Sequence, residues 1–428
     1  MNKLSAVLIL LLFLGAPACA QEEQYKNHLK KSLALFKRGR YELSAEAAVK
    51  ALNIAREHFG SMPVYLARAM IAAAKANGKS GDVQKAEHLL RKALDIIRRE
   101  PDLYPVDEAR GMRELALLFH ARGTAVEESE LLFKQALDLY RATLGSQHQQ
   151  TAVTMINLAD LFNSRERYNE AELLYRQALS IFEQVFGADD YRYRETANLL
   201  ANTYRSQGRY GAAEPIYLRQ LDFFKRYLGE DHPYLVLSLN ELAGLYRAQE
   251  KFAEAEEAYR RVLAIQEKNL PGNHVAIANS LWNLGDFYTG HGRLDQAESF
   301  YLRAVGIFDL IDDPNRYNTV LLLRSLARVY DRQEKYSLSS PLYRRILLTT
   351  ETARGLSHPD CIPALADLAR NCRYRNNDDE KTRLYRRILD IRTELYGRKQ
   401  FIIHNPLLRL ARYYRDQGRP EEAKRVYR

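Results

Sequence analysis

One residue pattern returns along this chain every 42 residues, and that period limits the possible folds more than any other feature. Aligned on the small residue before a recurring aromatic, the repeats bring Ala45, Ala86, Ser129, Ala171, Ala213, Ala255, Ala297, Ser339, Lys381 and Ala423 into register. The step is constant at 42 from Ser129 onward. Seven tyrosines, Tyr175, Tyr217, Tyr259, Tyr301, Tyr343, Tyr385 and Tyr427, keep the same step. A period of this length marks supersecondary units stacked in a line, so 428 residues need not divide into two or three globular domains.

Inside a repeat, Leu239, Leu242, Ala243 and Tyr246 are spaced by three and four, as are Ala255, Tyr259, Val262 and Leu263, which is helical periodicity in both halves. Forty-two is also six heptads, but breakers exclude a long coiled coil. Each repeat carries a polar turn such as "SQGRY" (206–210) and a second break such as "GEDHP" (229–233). Two antiparallel helices per repeat remain. Small residues at 213, 255 and 297 let the second helix approach the first, and each buried Leu or Tyr contributes ~1.5–3 kcal/mol. One pair buries too little alone, so neighbours must stack. His232-Pro233 and His358-Pro359 place Pro in a helix's first turn, whereas Pro215 and Pro341 sit deeper and are expected to kink their helices mildly.

The order Leu-Ala or Leu-Gly, Tyr, Gly-Arg-Tyr, Ala-Glu, Tyr resembles the tetratricopeptide repeat, in the longer 42-residue variety of kinesin light chains and many bacterial proteins. The resemblance runs from about Tyr25 to Arg428, in about ten repeats, regular from about 129 and less regular over 24–128. It departs at Cys372 and Lys381, which replace an aromatic and a small residue. It implies an all-α, right-handed superhelical solenoid of antiparallel helix pairs whose first helices line a concave groove.

The first twenty residues have the layout of a secretory signal: Lys3, the apolar run 6–14, then "GAPACA" with small residues at 18 and 20. Nine apolar residues are far short of the ~20 that span a bilayer. This predicts export to a periplasmic or secreted location, with residues 21–428 forming the solenoid. The alternative is a membrane-anchored lipoprotein acylated at Cys19. The whole chain is 46% hydrophobic, 28% charged and carries a net charge of +10, which excludes a disordered tail and favours anionic partners. Export argues against nucleic acid. Cys361 and Cys372 fall eleven residues apart on one expected helix, ~16 Å, beyond the ~7 Å that a disulfide allows.

A linear array spreads equivalent positions apart, so catalysis and cofactors are not expected. His148, His232, His274 and His358 differ by multiples of 42, but each opens a different repeat. Helix axes about 8–10 Å apart do not bring them within about 2.1 Å of one metal ion, so helix entry is their reading. No His-Glu-x-x-His, phosphate-binding loop, Gly-x-Ser-x-Gly or Cys-x-x-Cys occurs.

The groove implied by the resemblance would be lined two and five residues beyond each repeat's Leu. Those positions are Asp160 and Asn163, Asn202 and Arg205, Gly244 and Arg247, Asp286 and Thr289, Arg328 and Asp331, Arg370 and Arg373, and Arg412 and Arg415. Two residues before the Leu come Asn198, Asn240, Trp282 and Arg324. Asn198, Asn202 and Asn240 would bond the backbone of an extended segment, and Trp282 is either an anchor or core filler. Arg324, Arg328, Arg370, Arg373, Arg412 and Arg415 form a ladder for carboxylates or phosphates, or else a solvated face neutralised by Asp331 and Asp367. The expected function is an exported interaction scaffold holding an extended or acidic protein segment; the alternative is a binder of anionic envelope polymers. The chain stops one residue after Tyr427, which predicts an uncapped end that docks, for instance on another copy.

Overall fold

A computed structural model describes residues 3–60, 62–100, 103–311, 317–375, 377–396, 411, 414–415 and 418–427, with side chains from residue 20 onward except at 373, 396, 422 and 425–427. Two compact bodies follow one another along the chain, Met1–Ile216 and Tyr217–Arg428. The N-terminal body holds α1 (Lys3–Lys37), α2 (Tyr41–His58), α3 (Pro63–Ser80), α4 (Val83–Ile97), α5 (Pro105–Arg122), α6 (Val126–Leu144), α7 (Gln149–Ser164), α8 (Tyr168–Phe186), α9 (Tyr191–Ser206) and the start of α10 (Tyr210–Leu228). The C-terminal body holds the rest of α10, then α11 (Leu235–Ala248), α12 (Phe252–Asn269), α13 (Val275–Gly290), α14 (Leu294–Leu310), α15 (Tyr317–Arg332), α16 (Tyr336–Arg354), α17 (Cys361–Tyr374), α18 (Asp378–Tyr396) and the short helix Pro420–Tyr427. The described residues contain no strand, and none of their helices is long and apolar enough to cross a membrane. The fold is the all-α solenoid of helix pairs that the period predicts, with two helices per repeat.

Helix boundaries follow local chemistry. The imidazole Nδ1 of His148, His232, His274 and His358 each accepts the backbone N–H two residues on, at 3.1–3.2 Å, and Asp190 does the same with its carboxylate in the same register. These are caps for orphan amides at helix starts, and no group of three or more metal-ligating side chains occurs among the described residues. The turn inside each repeat needs a left-handed residue: Gly208, Gly292 and Gly418 supply it in some, Glu166, Glu250 and Glu334 in others. Both α10 and α16 continue through Pro215 and Pro341, the sixth residue of each, where the missing N–H leaves the carbonyls of Gly211 and Ser337 without their helical donor.

Within a pair, the small residue of the second helix is fully buried, as at Ala171, Ala255, Ala297 and Ser339, and the register tyrosines Tyr175, Tyr301 and Tyr343 fill the space beside it. Successive pairs are joined by a clamp built from the recurring Ala-Glu and Gly-Arg-Tyr residues. A glutamate one residue after the small residue faces the aromatic ending the next first helix and the base opening the next second helix. Glu256 accepts from Tyr288 Oη (2.6 Å), Arg260 (3.0 Å) and Arg293 (2.7 Å), and Arg293 also lies 4.6 Å over the Tyr288 ring. Glu172 meets Tyr204 and Arg209 in the same way, and Glu298 meets Lys335 at 2.9 Å. Burial alone would raise the Glu256 carboxyl, but hydrogen bonds from Tyr288, Arg260 and Arg293 outweigh it and hold its pKa below the usual glutamate value. Cys361 and Cys372 are buried free thiols on α17; burial, and then Glu380, push the Cys372 pKa up to about 11.

Candidate functional site

The face shared by first helices carries the proposed site residues. In the N-terminal body, the Asn163 and Asn198 side-chain oxygens, on α7 and α9, are buried and accept no hydrogen bond. Asn202 and Arg205, half-buried on α9, are already engaged with neighbouring groups. Asp160 accepts from Tyr175 Oη, and burial raises its pKa despite that bond. Nearer the N-terminus this face is closed by two charge pairs and one charged–amide hydrogen bond between first helices. Arg68 on α3 bonds Asp107 on α5 at 2.7 Å, Lys75 meets Glu114 at 3.3 Å, and Arg113 reaches Gln150 on α7 at 2.6 Å. Nothing in the periodic pattern marks these pairs, because they fall in the least regular repeats.

In the C-terminal body, Asn240 on α11 and Trp282 on α13 occupy the same register position. The Asn240 side-chain oxygen is buried without a donor, and the buried Trp282 Nε1 lies toward Asp286 without hydrogen-bond geometry. The Trp282 ring is half-buried and packs against the core, so it serves both as filler and as part of this face. Asp286 reaches solvent and accepts from Tyr301 Oη at 2.6 Å, yet dense packing around its carboxyl pushes its pKa up. Arg247 is exposed on α11 and acts electrostatically on both Asp286 and Tyr259.

The arginines are not equivalent. Buried Asp367 on α17 ties Arg324 at 2.9 Å and Arg370 at 3.1 Å, so two rungs of the ladder share one counter-charge and are held in place by it. Asp331, the other expected counter-charge, is instead taken by Ser339 and Tyr343 Oη. Arg328 is exposed on α15 and has no ion-pair partner among the described residues. Arg415 is exposed as well, whereas Arg412 and the side chains of Arg373 and Cys19 lie outside the described residues. The in-register spacing thus brings together one set of residues, Asn240, Arg247, Trp282, Asp286 and Arg328, on three consecutive first helices of one body.

Comparison with known proteins places this geometry in a family. A tetratricopeptide repeat model matches residues 107–184, 193–268 and 276–347, over half of the chain, and a second model of the same description matches 240–310. No curated protein matches. Among solved structures, the apo form of RapI has a TM-score of 0.59 at 12% identity, covering 88% of this chain and 99% of its own. A signal-transduction ATPase with a tetratricopeptide repeat sensor from Pyrococcus horikoshii gives 0.52 at 17% identity, over 82% of this chain and 53% of that one. A putative kinesin light chain of P. anserina is 26% identical over 48% of this chain and 96% of its own, with a TM-score of 0.45. The chain belongs to the tetratricopeptide repeat family, a helical scaffold typical of protein–protein interaction.

Proposed function

We propose that this protein is an exported, non-catalytic scaffold whose first-helix face in the C-terminal body holds an extended segment of another protein. One observation carries the reading: in-register Asn240 and Trp282 each present a buried polar atom, an acceptor and a donor, with no well-aligned hydrogen bond among the described residues, the Trp282 N–H lying only toward Asp286. A buried polar group left unpaired costs ~1–3 kcal/mol, so a face that repeats this feature is built to be completed by something else. An extended backbone offers alternating N–H and C=O groups of the kind these atoms require. Exposed Arg247 and Arg328 flank the position and favour a segment with carboxylates. With Arg324 and Arg370 held by Asp367, a long anionic polymer finds too few free arginines in the described part of the face. The signal-like first twenty residues support export.

The test is selection of unstructured ten-residue peptides from a displayed library by the full chain. A selected peptide should bind at least tenfold more weakly to the Asn240→Ala, Trp282→Ala double variant, and Arg328→Ala should reduce binding to acidic peptides most. Peptides that bind the double variant equally well would place the interaction elsewhere. Export is tested separately, by the N-terminal mass of the protein recovered from the cell envelope.

A further inference from the structure

We infer a second docking site at the outer side of the first helix pair, between α1 and α2, which receives an acidic amphipathic helix of a partner protein. At four junctions, all from α6 onward, the basic residue opening a second helix is held by a glutamate of the preceding second helix, whereas Asp82, Ala125 and Asn377 open α4, α6 and α18 without such a pair. The four pairs are Arg167–Glu130 at 2.6 Å, Arg209–Glu172 at 2.5 Å, Arg293–Glu256 at 2.7 Å and Lys335–Glu298 at 2.9 Å. Arg40 opens α2 in the same position, exposed, with no hydrogen bond from its side chain at the cap and no ion-pair partner among the described residues.

The groove beside it is lined by His28, Lys31, Leu35, Arg40, Glu46 and Lys50, among others. Leu35 stands five residues before Arg40, where Phe162, Tyr204 and Tyr288 stand before their clamp bases. His28 and Lys31 occupy the positions of Met155 and Leu158 on α7 and of Leu281 and Leu284 on α13, all of which are buried. Polar residues there keep an end face soluble, but neutral ones would do so equally well. Here the replacements are basic, and with Arg40 and Lys50 they leave Glu46 as the one acid in that lining. Charge complementarity therefore specifies an acidic helix, seated as α6 is seated on the pair α7–α8, with a glutamate on Arg40. All six residues lie downstream of residue 20, so cleavage of a signal would leave the site whole.

The probe is a fluorescein-labelled peptide of the α6 sequence, residues 126–144, which carries Glu130 as its clamp residue. The full chain should bind it saturably. Arg40→Glu should weaken binding at least tenfold, and a Glu130→Arg peptide should recover affinity for that variant. Absence of saturable binding, or binding indifferent to Arg40→Glu, would make the face a solvated cap and overturn the proposal. Loss with Arg167→Glu instead would place the peptide in its own slot in the array, and Arg40-dependent dimers in sedimentation would assign the face to a second copy; either result overturns it. The groove peptides described above should bind the Arg40→Glu variant unchanged, so failure of one site leaves the other standing.

Discussion

Gly285 shows how a single methyl group bears on one repeat. The same register position is Ala159, Ala201, Ala243, Ala327 or Ala369 elsewhere, all buried. At 285, however, a Cβ would lie 2.4 Å from the Tyr301 ring, which is drawn in to bond Asp286. Alanine normally gains ~1 kcal/mol over glycine inside a helix. Overpacking costs ~1–3 kcal/mol, so Gly285→Ala should be destabilising by up to ~2 kcal/mol, read as a lower denaturation midpoint at unchanged m-value. The left-handed turns predict the opposite sign. Glu166, Glu250 and Glu334 hold φ near 60°, where an L-residue costs ~1–2 kcal/mol, and Gly208 and Gly292 stand there in other repeats. Allowing ~0.5–1 kcal/mol for the greater unfolded freedom of glycine, each Glu→Gly change should stabilise by ~0.5–1 kcal/mol. The triple variant should show nearly the sum in thermal unfolding, because the sites are far apart.

Among elements, the clamp is the decisive contact, and its chemistry makes it sensitive to pH. The Glu130, Glu172, Glu256 and Glu298 carboxyls all titrate below the ordinary glutamate value of 4.5. A carboxyl depressed in the folded state contributes stability above its unfolded pKa and loses it as pH falls through the folded value. Array stability should therefore drop below about pH 4.5, because there the unfolded chain takes up protons that the folded clamp does not, and the loss is complete once the folded carboxyls protonate in turn. Glu256→Gln should cost about 1–2 kcal/mol at pH 7 and narrow the difference in stability between pH 7 and pH 3, measured by denaturant unfolding at both. An unchanged difference would mean that other carboxylates dominate acid unfolding.

Across the whole molecule, stability should vary along the array, because each helix pair touches only its neighbours. The junction of α16 with α17 and α18 lacks the clamp: Ser340, Cys372 and Asn377 stand where Glu298, Tyr330 and Lys335 stand one repeat earlier. In its place are Arg375 on Ser340 at 2.7 Å, Asn371 on Ser339 at 2.6 Å and the stacked rings of Tyr336 and Tyr374. One ion pair crosses the junction, exposed Arg344 to Glu380 at 2.7 Å, but no glutamate there gathers a tyrosine and a base as Glu256 does. Amides of α17 and α18 should exchange with solvent faster than those of α13 and α14 in the same body; equal protection would show that the replacement network is as strong.

By itself the sequence determined the period, two helices per repeat, the buried register of small residues and tyrosines from Ser129 to Tyr343, and the histidines at helix entries, whereas in α2 the buried small position is Ser44 and not Ala45. Each of these depends on residues close in the chain, through helical periodicity or a cap two residues away. Only the tertiary structure decided which charges meet. Periodicity places Arg324, Arg328 and Arg370 on comparable faces, but it cannot tell that Asp367, one repeat beyond Arg324, turns inward and takes two of them while Arg328 meets no carboxylate among the described residues. Nor does it tell that the glutamate after each small residue reaches the base of the next pair, or that Trp282 is at once core and face. Such pairings join residues some forty apart, where side-chain reach and packing, not spacing along one helix, select the partner.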